Sequence, residues 1–381
     1  MQVSFINESY RRFFEKHRDE IMLAIEKCIA EGQFILRDEV ARFEKTLAEY
    51  VGVKYAVGVN SGTDAIFLSL KALGIGPGDE VITPSNTFIA SIQSIVHCGA
   101  TPILTDCGED GLMDVNAIEP LITPRTKAIL PVHMYGKVSD MNKIWLTAEN
   151  HKLWIIEDAC QALGARYDGG EWGVRGKAGA MGDVAAFSFI SPKLMGCYGD
   201  AGVAVTDRED VYEKLLLLRN HWNITQNALL GLDIKRPEIM GWGWNSRLDN
   251  IQAAVLNVKF KYIDEILERR RAIGKTYNDG LASLEATGEF RIPKQQPKQI
   301  YQEYVVRVKN RDAFAEHMKK CGVELLIRDT IPNHKLPGLG LERFDLPMTE
   351  AMALDSARLP IWPEMRDDET QYVISCVREF F

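Results

Sequence analysis

With 381 residues, 46 % of them apolar, the chain is long enough for two domains, each with a core of its own. A formal net charge of −8 excludes the clustered cationic excess that drives nucleic-acid binding. No uninterrupted apolar run reaches the roughly 18–20 residues of a membrane span, so a small-molecule partner is expected.

The N-terminus, Met1 to Phe5, runs into a charged stretch and lacks the apolar h-region of a signal peptide, which points to a cytoplasmic location. Two amphipathic helices follow, one with Ile21, Ile25, Cys28 and Ile29 before Gly32, the other with Val40, Phe43, Leu47 and Tyr50 before Gly52. From Lys54 to about Thr206, short apolar strands (Tyr55 to Val59, Glu80 to Thr83, Pro102 to Asp106, Ala128 to Val132, Trp154 to Glu157) alternate with helical stretches. That pattern predicts an α/β fold with a mainly parallel sheet between helices. A single long helix is expected from about Ser246 to Leu281 as a linker. Beyond it, strand-like Glu303 to Val308 and Val323 to Ile327, with helices Asp312 to Cys321 and Asp367 to Phe380, read as a smaller α+β domain. The expected division is 1–258 and 259–381. The seven cysteines are scattered without a Cys-x-x-Cys pair, which suits reduced core thiols, and no metal site is expected.

Four constellations carry chemistry. Asn60-Ser61-Gly62-Thr63-Asp64 follows a strand and opens a helix, where small residues let N–H groups and a hydroxyl approach an anion. Taken alone, it is more often an ordinary helix cap. Asp158 ends an apolar strand, at the edge where ligands of such sheets bind, and could hold a pyridine nitrogen protonated; taken alone, it is more often a helix-capping aspartate. Lys193 follows the strand Phe187-Ser188-Phe189 among apolar residues and glycines, a setting that favours the neutral amine needed for a Schiff base, although most lysines are simply solvated surface residues. Gly241-Trp242-Gly243-Trp244-Asn245-Ser246-Arg247-Leu248-Asp249 reads from its residues simply as a turn starting a helix.

In order and spacing these motifs, with Pro131-Val132-His133-Met134-Tyr135-Gly136, Gln161, Gly199-Asp200 and Leu359-Pro360, resemble the DegT/DnrJ/StrS family of pyridoxal-phosphate-dependent sugar aminotransferases. The resemblance spans nearly the whole chain. It implies the aspartate aminotransferase fold (fold type I), with a large cofactor-binding domain and a small C-terminal one. Lys193 is then the Schiff-base lysine and proton shuttle, Asp158 the partner of the pyridine nitrogen, and Gln161 a hydrogen-bonding partner of the ring hydroxyl. Gly62, Thr63 and Ser188 would cradle the phosphate, Phe88 would stack on the ring, and Asn245 would reach the cofactor phosphate of the other subunit in a homodimer. His133, Tyr135, Tyr198, Arg247 and His334 are candidate substrate contacts.

The implied reaction moves an amino group from L-glutamate, released as 2-oxoglutarate, to a nucleotide-linked keto-deoxysugar, with pyridoxamine phosphate as the intermediate cofactor form. The first expectation is a dTDP-linked 3-keto-6-deoxyhexose. A UDP- or GDP-linked 4-keto sugar is the alternative, and a catalytically silent cofactor or sugar-nucleotide sensor is the alternative of another class. Three segments depart from the family pattern: Leu194-Met195 follows Lys193 where an Asn-Leu pair is common, Tyr301-Gln302-Glu303-Tyr304 lacks a frequent histidine, and Ile327-Arg328-Asp329-Thr330 stands where His-Tyr-Pro is usual. The last two lie where the sugar site is expected.

Overall fold

Strand and helix signals translate into a three-layer core in the computed structural model, which describes residues 1–169, 174–223, 239 and 241–381. Seven strands form the main sheet: β1 (Tyr55–Val59), β2 (Glu80–Pro84), β3 (Thr101–Thr105), β4 (Thr126–Ile129), β5 (Trp154–Asp158), β8 (Val184–Ser188) and β9 (Gly202–Thr206). A two-stranded ribbon, β6 (Arg166–Tyr167) with β7 (Gly176–Lys177), lies between β5 and β8 in the chain. The spatial order is β1-β9-β8-β5-β4-β2-β3, and only β9 runs against the others.

Because side chains alternate across a strand, the sheet feeds two cores. Ala56, Ile129, Ile155, Ala185, Phe187 and Val203 point to one face, where α2 (Asp38–Val51) contributes Val40, Phe43 and Leu47. Val57, Val59, Ala128, Ile156, Val184 and Ala204 point to the other, against α3 (Gly62–Ala72), α4 (Ile89–His97) and the helix Glu209–Leu218. Burial on both faces is why these strands read as continuous apolar runs.

The single helix expected from Ser246 to Leu281 is two helices, Asn250–Phe260 and Ile263–Leu281. Residues up to Asp249 stay extended, and Tyr262 leaves helical geometry (φ −107°, ψ 8°). Tertiary contact explains the break: the Tyr262 ring lies 4.0 Å from that of His17, the residue at which α1 (Phe5–Ala30) itself kinks, and its hydroxyl donates to Glu20. The second helix starts in the large core through Ile263, Ile266 and Leu267. It ends in a separate core through Ile273, Tyr277 and Leu281, packed with Phe290, Tyr304, Phe314 and Trp362.

That second core backs an antiparallel sheet of β10 (Phe290–Arg291), β11 (Tyr304–Val308) and β12 (Ser356–Leu359). The strand expected at Val323 to Ile327 is absent. The segment makes only isolated bridges, Val323 to Val3 and Leu326 to Arg358, so its pairing is divided between two partners and no continuous ladder forms. Among the described residues no helix is long and apolar enough to cross a membrane.

Candidate active site

Parallel strands end at one edge, so the loops that follow them gather there. The carboxyl ends of β1, β2, β4, β5 and β8 open onto one cavity of about 530 Å³. They bring to its wall Gly62 and Thr63, Thr87 and Phe88, Met134, Asp158 and Gln161, and Ser188 and Lys193, respectively.

The turn after β1 is both cap and cradle. Ser61 is the N-cap of α3, and its hydroxyl accepts the Asp64 N–H at 3.1 Å. The N–H groups of Gly62 and Thr63 keep no acceptor among the described residues, as expected in a first helical turn. A Cβ on Gly62 would stand 2.6 Å from the Ser188 Cβ, and one on Gly202 only 2.1 Å from the Ser61 carbonyl oxygen. Glycine at these two points lets the helix N-terminus lie directly against β8 and β9. The turn is tied to the Asn245–Asp249 motif through Ser246, whose hydroxyl donates to Asp64 at 2.6 Å and accepts the Asn60 N–H at 3.2 Å.

Asp158, 5 % exposed, closes β5. Its carboxylate accepts from the Ser91 hydroxyl at 2.7 Å and from the Cys160 N–H at 3.1 Å. Burial, with the Asp158 charge beside it, pushes the Cys160 thiol far up, so this cysteine is an inert neighbour. Gln161 accepts the Tyr135 N–H at 2.9 Å, which settles the amide's orientation and leaves its NH₂ as a donor. Tyr135 does this from a left-handed backbone conformation (φ 62°), with its hydroxyl held by Asn86 at 3.2 Å. Lys193 is half-buried in the cavity lining, and among the described residues no carboxylate forms an ion pair with it. Phe88, 63 % exposed, lines the same cavity.

Other candidates are not brought to this cavity. His133 is fully buried and donates from Nε2 to Glu157 at 2.8 Å, while its Nδ1 accepts the Ser139 N–H at 3.2 Å. His334 is fully buried between Ser85 (2.8 Å) and Glu350 (3.0 Å). Arg247 donates to the Asn220 side chain at 2.9 Å, and Tyr198 packs against Lys259 and Phe14. Tyr135 reaches the site only through its N–H. Asn245 is exposed and off this chain's cavity wall.

Conversely, Gln302, Glu303 and Arg358 line the cavity without having been singled out as site residues. The signal for Arg358 was a lone arginine inside the apolar run Ala357 to Ile361. It is 4 % exposed and donates to Glu303 at 2.7 Å. Burial works against an ionised Glu303, but the charges of Arg358, Arg328 and Lys193 outweigh it and hold the carboxyl below its usual range. Away from this site, His317, Cys321 and Glu379 converge, yet His317 Nε2 already donates to the Cys376 carbonyl at 2.8 Å.

The cavity thus combines free helix N-terminal N–H groups beside the Ser188 and Thr63 hydroxyls, a buried carboxylate, and an unpaired primary amine. These suit a phosphate, a pyridine nitrogen and an aldehyde, the three reactive parts of pyridoxal phosphate, and the Gly62 cradle leaves room for the first. A mainly parallel sheet carrying such a set at its carboxyl edge defines a pyridoxal-phosphate-dependent aminotransferase of fold type I. The chain belongs to the DegT/DnrJ/EryC1/StrS aminotransferase family, whose model matches residues 15–378.

It is 39 % identical over 372 residues to the dTDP-3-amino-3,4,6-trideoxy-alpha-D-glucose transaminase of Streptomyces venezuelae, covering 96 % of this chain and 93 % of that one. It is 35 % identical over 377 residues to a pleiotropic regulatory protein of Geobacillus stearothermophilus, covering 97 % and 96 %. Among solved structures, S. venezuelae DesV in complex with a ketimine intermediate superposes with a TM-score of 0.90 at 38 % identity, covering 100 % of this chain and 98 % of that one. Bacillus subtilis NtdA with bound pyridoxamine phosphate superposes with a TM-score of 0.88 at 30 % identity, covering 99 % and 85 %.

Proposed function

We propose that this protein transfers the amino group of L-glutamate to a nucleotide-linked keto-deoxysugar, with a dTDP-linked 3-keto-6-deoxyhexose as its first substrate. The observation that carries the reading is the meeting of Lys193, Asp158 and the Gly62-Thr63 helix start on one cavity. The name borne by the S. venezuelae relative supports the sugar class.

When bound, pyridoxal phosphate supplies an electron sink that stabilises negative charge at the carbon losing a proton. Lys193 would hold the cofactor through its amine and, once freed by the donor amine, would move a proton between the substrate carbon and the cofactor as general base and acid, in one direction for the donor and in the other for the sugar. Asp158, kept in place by Ser91, would meet the pyridine nitrogen, and the NH₂ of Gln161 would donate to the ring oxygen. The N–H groups of Gly62 and Thr63, with Ser188, would hold the phosphate. Phe88 would stack on the ring.

The same reading divides the chain into a cofactor unit, 1–258, and a C-terminal unit, 259–381. It also pairs two chains. Asn245, exposed and off its own cavity, suits reaching the cofactor phosphate of a partner subunit in a homodimer. The location proposed is cytoplasmic.

The test is an absorption spectrum of the protein loaded with pyridoxal phosphate, before and after L-glutamate, beside Lys193→Ala. A visible cofactor band that bleaches with glutamate, with 2-oxoglutarate released and no protein-linked cofactor in the variant, supports the reading. A band indifferent to every amino donor sinks it and favours the sensor. Turnover of 4-keto but no 3-keto nucleotide sugar would overturn the regiochemistry alone.

A further inference from the structure

The cavity that holds the cofactor cradle is also lined by one buried guanidinium, that of Arg358. Arg358 donates from Nε to Glu303 at 2.7 Å, from one terminal nitrogen to the Asp329 carboxylate at 2.8 Å, and from the other to the Arg328 carbonyl at 3.2 Å. These contacts hold a turn in which Asp329 adopts a left-handed conformation (φ 56°), unfavourable for a residue with a Cβ. The turn presents Arg328 to the cavity.

The two arginines differ in how their donors are used. Arg358 is spent on protein partners. The Arg328 side chain is 48 % exposed, and its nearest carboxylate oxygen, on Glu303, is 3.8 Å away, close enough to orient it and too far for a hydrogen bond. Among the described residues no side-chain hydrogen bond is made by Arg328, so its planar fork of N–H donors stands open on the same cavity as Lys193. Glu303 offsets only part of its charge, because its other oxygen is bonded to Arg358.

We propose that Arg328 is the carboxylate-binding group of this active site, its guanidinium taking a substrate carboxylate in a two-point contact while the reacting carbon lies at Lys193. The inference rests on the aminotransferase reading and deepens it. The open fork matches a planar, doubly accepting anion, and arginine rather than lysine suits that geometry. The carboxylate comes from the amino donor or from an acidic sugar, and the two sources are separable.

The experiment uses cofactor-loaded wild type, Arg328→Gln, Arg328→Lys and Glu303→Gln. Binding is measured calorimetrically for glutarate, a dicarboxylate that lacks the reacting amine, and for UDP-glucuronate against UDP-glucose. Expected is a loss of glutarate affinity of about 10- to 100-fold in Arg328→Gln, partial recovery in Arg328→Lys, and tighter binding in Glu303→Gln, where the competing anion is gone. If glutarate binding stays constant but the preference for UDP-glucuronate over UDP-glucose disappears in Arg328→Gln, the carboxylate is that of the sugar. If neither changes, or wild type binds no carboxylate ligand, the assignment is overturned. Cofactor uptake by both Arg328 variants reports that they fold. Failure of wild type to half-transaminate with any donor would instead sink the aminotransferase reading, whatever Arg328 does.

Discussion

Gln302 brackets Lys193: its amide oxygen accepts the Leu194 N–H at 3.0 Å, and its NH₂ donates to the Pro192 carbonyl at 3.1 Å. The residues on either side of the amine are thereby fixed from the C-terminal part of the chain, where Arg270 in turn holds the Tyr301 carbonyl at 2.7 Å. Gln302→Leu removes both bonds, each worth about 1 kcal/mol net. The glutamate half-reaction should slow roughly tenfold while cofactor affinity changes less, with faster amide exchange at Leu194. An unchanged rate together with unchanged exchange would show that the loop holds itself.

Gly62→Ala addresses the cradle. The new methyl would meet Ser188 at 2.6 Å, so either β8 or the start of α3 must move. Affinity for pyridoxal phosphate should fall at least tenfold, whereas pyridoxal, which lacks the phosphate, should lose little. Equal losses for the two ligands would place the damage outside the phosphate cradle.

Glu157 and His133 form a structural centre rather than a substrate contact. One carboxylate oxygen accepts from Met181 (2.7 Å) and Gly182 (2.6 Å), the other from Gly179 and His133, both at 2.8 Å. In Glu157→Gln, whichever oxygen is replaced, two donors lose their acceptor. A destabilisation of roughly 3–5 kcal/mol is expected in denaturant unfolding. A change below about 1 kcal/mol would contradict this account.

Lys259 gives a pH dependence. Its ammonium donates to the Gly196 carbonyl, three residues beyond Lys193, and sits 5.0 Å from the Phe13 ring and 4.8 Å from that of Tyr198. Burial lowers its pKa to about 8, against the opposing charge of Glu364. An unfolded lysine titrates near about 10.4. Between these values the unfolded chain holds a proton that the native one has released, so the Lys259 contribution to stability rises with pH from about 8 to 10.4; below 8 both states are protonated and the burial cost is fully present. Wild type should therefore gain on Lys259→Met in thermal midpoint as pH is raised from 8 to 10. Parallel profiles would contradict the shift.

Much of the fold was legible because burial on both faces writes a parallel strand as an apolar run, and Tyr55–Val59 and Asp367–Phe380 have the expected bounds. The break at Tyr262 was not legible, since the residues around it are compatible with continuous helix and its cause is a ring of α1 more than 200 positions earlier in the chain. Likewise, His133 and His334 carry residue types common in active sites, and only their neighbours, Glu157 and Ser139 or Ser85 and Glu350, show that both ring nitrogens are already used.

The sequence by itself determined the class of chemistry through the family resemblance, because a strand-ending aspartate, a lysine in an apolar turn and a small-residue helix start, each common alone, are local patterns whose ordered conjunction is specific. Tertiary structure alone decided which polar groups face the cavity. Glu303, Arg328 and Arg358 meet there through strand register and a strained turn, and whether a charge is spent on a neighbour or left open to a ligand depends on distances of a few ångströms between segments far apart in the chain.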